Sequence, residues 1–230
     1  MKKNVILEES DIFSLGSNEK SLQQKVYDTL VAKFMNRELV PGQVINRRQL
    51  AAEMNVSVSP VLEALVKLEQ EGFVVSIPRR GTIVRSVKAE EYFGHLLLRE
   101  ALEVEAVAFY CGEKIRSNYD ELIAFARKMD ETDIVSLEHA RMEVVFHCSL
   151  VNLAGISPLF QEFVRVNRTS LFYKINSFIT TKKANNQRHV DLIDNLCTND
   201  VVKAAEAIRL HVRSGKPGID GFLKGYNGAI

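Results

Sequence analysis

The sequence has no apolar run approaching the ~18 residues that a membrane helix needs, and its polar start, MKKNVILEES, is too short in its apolar part for a secretory signal. It is short of cysteine. Cys111, Cys148 and Cys197 are odd in number, lie far apart and show no CxxC spacing, so they read as three inert thiols of a reducing compartment. The zinc-protease pattern HExxH is missing, as is any motif joining a nucleophile to a base. No charge of one sign dominates, since the net charge is +1. What remains is an ordinary mixture for a soluble globular protein, 46% hydrophobic and 26% charged over 230 residues, with room for one large domain or two small ones. The expected compartment is the cytoplasm, with no membrane partner.

The net charge conceals an asymmetry. Residues 20–88 carry eleven Lys or Arg against six Asp or Glu, a net of +5, while the segments on either side each sum to −2. A basic first half points to a polyanion partner for that half alone.

The pattern inside the basic half is more specific. SLQQKVYDTLVAKFMNREL repeats apolar residues at Leu22, Val26, Leu30, Val31 and Phe34, a helical spacing with Ser21 as its N-cap. Pro41-Gly42 predicts a turn, and Asn46 a cap for the short helix RRQLAAEM. Asn55-Val56 turns the chain again. Ser57 or Ser59 then caps PVLEALVKLEQE, with Pro60 in the first turn and Gly72 ending the helix. Two β-branched runs, FVVSI and TIVRSV, follow around PRRG. Three helices and a hairpin, with a tight turn between the second and third helices, predict a winged helix-turn-helix over residues 21–87, preceded by a loose tail over 1–20.

These residues resemble the N-terminal domain of GntR-type bacterial transcription regulators, through the Pro-Gly turn, the "LA" of the second helix, the block VSVSPVLEALVKLEQEG and the wing tip PRRG. The resemblance covers about residues 22–87. It implies double-stranded operator DNA as partner and Arg47, Arg48, Ser57, Ser59, Lys67, Arg79, Arg80 and Gly81 as the contacting set. One departure bears on specificity. Relatives usually carry arginines where this chain has Val58 and Leu62. Losing a bidentate arginine–guanine pair removes roughly 1–3 kcal/mol of discrimination. Phosphate anchoring is therefore expected to survive better than guanine reading, on an operator unlike those common in the family.

From residue 89 onward the pattern is helical throughout, in six expected segments near 89–113, 117–130, 133–154, 157–179, 183–198 and 200–214, followed by a tail over 216–230. The fold class is mainly α, a winged helix-turn-helix followed by an all-α bundle over residues 88–215. Within RMEVVFHCSL, Glu143 and His147 lie four residues apart on an apolar face. His189 shares a stripe with Ile193 and Leu196, and His211 one with Ala204, Ala207 and Ile208. Polar groups directed into a core cost free energy unless paired. One carboxylate and three imidazoles on three helices suit a divalent ion such as Zn, Ni, Mn or Fe. His95 and His139 read as surface or interface residues.

REALEVEAVAFY, EVVFHCSL, QRHVDLIDNL and AAEAIRLHV resemble the successive signatures of the FCD domain, the ligand-binding half of the FadR-type branch, and six helices are most similar to its VanR subgroup. The resemblance implies metal ligation by His147, His189 and His211, with Glu143 standing where relatives usually have aspartate. It also implies a small organic acid as effector, clamped by Arg99, although a helix-surface pair of Arg99 with Glu103 is an equal alternative. The expectation is a homodimeric, effector-responsive transcription regulator, not an enzyme. A metal-stabilised regulator without an effector is the alternative. A helical metalloenzyme is disfavoured because only one inward carboxylate is legible.

Overall fold

A computed structural model of the chain describes residues 4–13, 21–86, 88–134, 136–176 and 188–214. It divides into two compact units. One holds Glu9–Lys88 together with the late residues of a long helix from Arg168 onward, and the other holds most of the rest. The start of the chain differs from the loose tail read in sequence. Residues 9–13 form helix α1 (Glu9–Phe13), and Val5 and Ile12 are buried. The main-chain amides of Ile6 and Leu7 are bound by Glu121 and Ser149. Apolar side chains in a short polar segment found partners that periodicity could not announce. Residues 14–20 lie outside the described residues.

In the winged unit, α2 (Leu22–Met35) starts where Ser21 Oγ accepts the amide of Gln24 at 3.2 Å. Asn46 Oδ1 accepts the amides of Arg48 and Gln49 to open α3 (Arg47–Glu53). Helix α4 (Val58–Gln70) starts after Ser57 and ends in a Schellman arrangement, Phe73 N donating to Leu68 O and Gly72 N to Glu69 O, with Gly72 at φ +82. The wing is β1 (Val74–Ile77) against β2 (Gly81–Val84), antiparallel with Ile77 opposite Gly81. Its turn has Pro78 leading, Arg80 N bonded to Ile77 O, and Arg79 at φ +63, the backbone of a type II turn. Val44 bridges to Ile83 from outside the hairpin.

The core of this unit is aromatic. Phe73 lies 4.6 Å from Phe172 and 5.6 Å from Phe34, centroid to centroid. Phe172 belongs to the long helix α9 introduced below. Arg168, also on α9, donates to the Tyr27 hydroxyl and to Glu71, and Tyr27 donates to Glu71 in turn. All three side chains are wholly or largely buried, and burial pushes the Tyr27 phenol well above its usual range. A core read from residues 21–87 alone is therefore incomplete.

From residue 89 the described residues form seven helices rather than six: α5 (Ala89–Val107), α6 (Glu113–Ser117), α7 (Tyr119–Glu131), α8 (Leu137–Asn152), α9 (Ser157–Asn176), α10 (His189–Leu196) and α11 (Val201–Ser214). The expected first segment, 89–113, stops at Val107. A run of turns follows and ends at Gly112, which takes φ +76, donates to Leu196 O at 2.8 Å, and has no room for a Cβ, which would meet Asn199 Oδ1 at 2.2 Å. Only glycine lets the chain turn so close to the corner between α10 and α11. Arg213 on α11 binds Glu100 on α5 through two hydrogen bonds of 2.8 and 2.7 Å, fixing the register of those helices. The expected stretches 177–187 and 215–230 lie outside the described residues. No helix among those described is long and apolar enough to cross a membrane.

Candidate metal centre and nucleic-acid interface

His147 on α8, His189 on α10 and His211 on α11 converge. All three are buried, and one donor atom from each lies within 4.8 Å of the others. The ring centroids stand 5.2 Å apart for His147 and His211, 4.7 Å for His189 and His211, and 6.2 Å for His147 and His189. Two of the rings are held from behind. His147 Nδ1 is hydrogen-bonded to Glu103 on α5, and His189 Nδ1 to Asp130 on α7 at 2.8 Å. Any ligation by those rings is thus through Nε2. A carboxylate behind a ligating histidine fixes its tautomer and raises its basicity.

Asp130 also opens α10. Its two oxygens accept the amides of His189 and Val190, so one carboxylate caps the helix and aims its first side chain. Burial raises the Asp130 pKa, but the hydrogen bonds from the His189 ring and the two amides outweigh it and bring the carboxyl down to about 2. No carboxylate among the described residues is hydrogen-bonded to His211. Burial, reinforced by the charges of His189 and His147, lowers its pKa well below the usual imidazole range. It is therefore neutral, the form that ligates.

The donor set fits a divalent ion on the protein's own testimony. Among the described residues, His189 Nε2 and His211 Nδ1 are buried with no hydrogen-bond partner, and such orphaned nitrogens are costly unless something satisfies them. Three neutral imidazoles are a common site for zinc and other first-row metals, which bind nitrogen at about 2.0–2.1 Å in the zinc case.

Glu143 is not among those converging donors. It is partly exposed, and its Oε1 lies 3.5 Å from Arg99 Nη1, with its charge felt at His211. Arg99 is not on the surface, so of the two readings from sequence the surface form of its pair with Glu103 does not hold. It is buried, its Nε stands 3.5 Å from Glu103 Oε2, and its Nη2 has no hydrogen-bond partner among the described residues. Nor is Glu143 the one inward acid, because Glu103 is wholly buried. His139, expected with His95 at the surface or an interface, is buried as well, its ring 5.9 Å from that of His189, and His95 is half-buried.

In the winged unit, Arg48, Ser57, Ser59, Arg79 and Arg80 are exposed, and Gly81 stands at φ +88 beside the two wing-tip arginines. Arg47 instead reaches back to β2, donating to Thr82 Oγ1 at 2.8 Å. Lys67 lies 4.2 Å above the Tyr27 ring, with its Nζ 3.4 Å from Gln24. Ser59 Oγ binds Glu63. Of the basic residues expected to face DNA, those left exposed therefore lie on α3 and the wing.

Comparison with known proteins matches this layout. Residues 22–84 match the bacterial regulatory proteins of the gntR family, and residues 96–214 match the FCD domain. The chain belongs to the GntR family, with an FCD domain. This GntR regulator is 26% identical over 191 residues to the Nta operon transcriptional regulator of Aminobacter aminovorans, covering 83% of this chain and 89% of that one. It is equally 26% identical over 205 residues to an uncharacterised HTH-type regulator in an unstable DNA locus of Streptomyces ambofaciens, covering 86% and 85%. Among solved structures, its fold is similar to a GntR regulator from Rhodococcus sp. RHA1, with a TM-score of 0.68 at 18% identity over 88% of this chain and 99% of that one. It is also similar to E. coli McbR/YncC, with a TM-score of 0.64 at 16% identity over 89% and 100%.

The GntR regulator is a DNA-binding transcription regulator and not an enzyme. Sequence reasoning missed its two supporting carboxylates. Asp130 sits at the end of a helix in RKMDET and Glu103 inside REALEVEAV, and neither lies at a helical spacing from the histidine it holds. A polar residue at a helix N-terminus without its own cap, as at Arg188-His189, is the one signal that a distant carboxylate supplies the cap.

Proposed function

We propose that this GntR regulator senses a small organic acid at a divalent metal in its helical unit, and that it acts as a homodimer on a pseudo-palindromic operator. Residues 21–87 read DNA and residues 88–215 sense in this proposal. The reading rests on one observation: His189 and His211 have buried nitrogens with no partner among the described residues, and the buried Arg99, whose Nη2 is likewise without one, is close enough for its charge to act on His211. His147, His189 and His211 would hold the ion, and Glu143 would be the fourth donor after leaving Arg99. The bound ion, of the Zn, Ni, Mn or Fe class, would supply a positive centre for an oxygen anion. Arg99 would donate Nη2 to the second oxygen of the same carboxylate. An acid that binds one arrangement of the dimer better than another shifts the population between them and so changes operator affinity.

The test is a thermal-shift titration of protein loaded with Mn, Ni or Zn against mono-, di- and tricarboxylic acids. At least one acid is expected to raise the melting temperature of the wild type and to do nothing for Arg99→Ala. If no acid moves the metal-loaded wild type, the ion is a structural element of a DNA-binding protein without a small-molecule effector.

A further inference from the structure

Three apolar side chains stand outside the core on the same face of α4. Val58, Leu62 and Val66 are 38%, 39% and 55% exposed, and they recur every four residues. The other face of α4 is the packed one, through Val61, Ala64, Leu65 and Leu68. The stripe is therefore surplus to the fold. Its neighbours in the unit decide what covers it. Arg48 is exposed on α3, which packs against α4, and Arg79 and Arg80 are exposed on the wing that follows it, all suited to phosphate contacts. Within α4 itself, Lys67 is the only basic residue, and it is folded over Tyr27. The second helix of a helix-turn-helix enters the major groove with its N-terminal residues at the base edges. There, the one apolar group a base pair presents is the C5-methyl of thymine.

We infer that Val58 and Leu62 read thymine methyl groups in the major groove, so that this regulator recognises its operator half-site by apolar contact where an arginine would demand guanine. The two side chains are one helical turn apart, about 6 Å along the axis, which corresponds to roughly two base steps. Thymines about two steps apart in each half-site are the signature. Val66, a further turn along, extends the apolar surface toward the groove edge. Glu63, exposed beside Leu62 and bonded to Ser59, could accept from the amino donors of cytosine or adenine but not from thymine.

The inference rests on the DNA-binding role of the family, and the experiment separates the two. Sites are first selected from a randomised duplex pool with the full-length wild type. The enriched duplex is then synthesised with deoxyuridine in place of each thymidine, which removes the methyl and leaves every hydrogen-bonding group unchanged. Affinity is expected to fall about fourfold for each contacted methyl. Val58→Ala and Leu62→Ala lie on the surface and keep the fold; they are expected to weaken binding to the thymidine duplex and to lose most of the distinction between the two duplexes. Equal affinity of the wild type for both duplexes overturns the assignment and leaves the stripe to a protein partner. Failure to enrich any duplex overturns the DNA-binding role itself, and the assignment with it.

Discussion

Asp130 and His189 are joined twice, once through the imidazole Nδ1 and once through the main-chain amide, both on the same carboxylate oxygen. The cap of α10 and the aim of a candidate metal ligand are thus one interaction. Asp130→Asn keeps the shape but cannot accept as strongly, and metal affinity measured by competition with a chelator is expected to fall about 10–100-fold. An unchanged affinity would show that His189 is held by packing alone.

The same carboxylate carries a pH dependence. Its folded pKa, about 2, lies below the ordinary value of 3.8. A depressed carboxylate pKa contributes stability that is fully present above the ordinary value and is lost as pH falls toward the folded one. In metal-free protein, the melting-temperature difference between wild type and Asp130→Asn is therefore expected to shrink as the pH falls below about 4. A difference that grows below about pH 4 would reverse the assigned sign.

Chelation, or His189→Ala, should lower the melting temperature of the helical unit and abolish the response to acids, while the winged unit retains its helical spectrum. Elemental assay of protein made without a histidine tag should find about one divalent metal per chain. Wild type that melts identically with and without Zn, Ni or Mn would reduce the three histidines to a polar core.

Arg79 occupies left-handed backbone, at φ +63, where a non-glycine residue is strained. Arg79→Gly is expected to leave stability unchanged or raise it by up to about 1 kcal/mol. Both Arg79→Gly and Arg48→Ala are expected to weaken DNA binding and to reduce the slope of log affinity against log salt by about one unit. Denaturant titration and a salt series read the two effects separately. A slope unchanged in either variant removes that residue from the contacting set.

Phe172→Ala should destabilise the winged unit by about 3–5 kcal/mol, as expected for a buried aromatic with Phe73 and Phe34 against it. Arg168→Ala should cost a comparable ~3–5 kcal/mol, because it leaves the Glu71 carboxylate and the Tyr27 hydroxyl buried without their cation. A fragment ending near residue 87 should accordingly be less stable than the same unit in the full chain. Equal stabilities would place Phe172 and Arg168 outside the folding unit.

Local determinants of this protein were legible in its sequence because they act over a few residues. Ser21, Asn46 and Gly72 cap and stop helices through bonds to amides or carbonyls no more than five residues away. The helical period likewise placed His147, His189 and His211 on inward stripes. Tertiary packing decided what those residues meet. Glu103, 44 positions from His147, and Asp130, 59 positions from His189, are brought to them by helices whose separation no periodicity encodes. The same holds for Phe172 closing a core that begins at Phe34, and for Gly112, whose turn is required by the approach of Asn199. Spacing along one helix reports which face a side chain shares; only the packing of separate helices determines which charge stands opposite it.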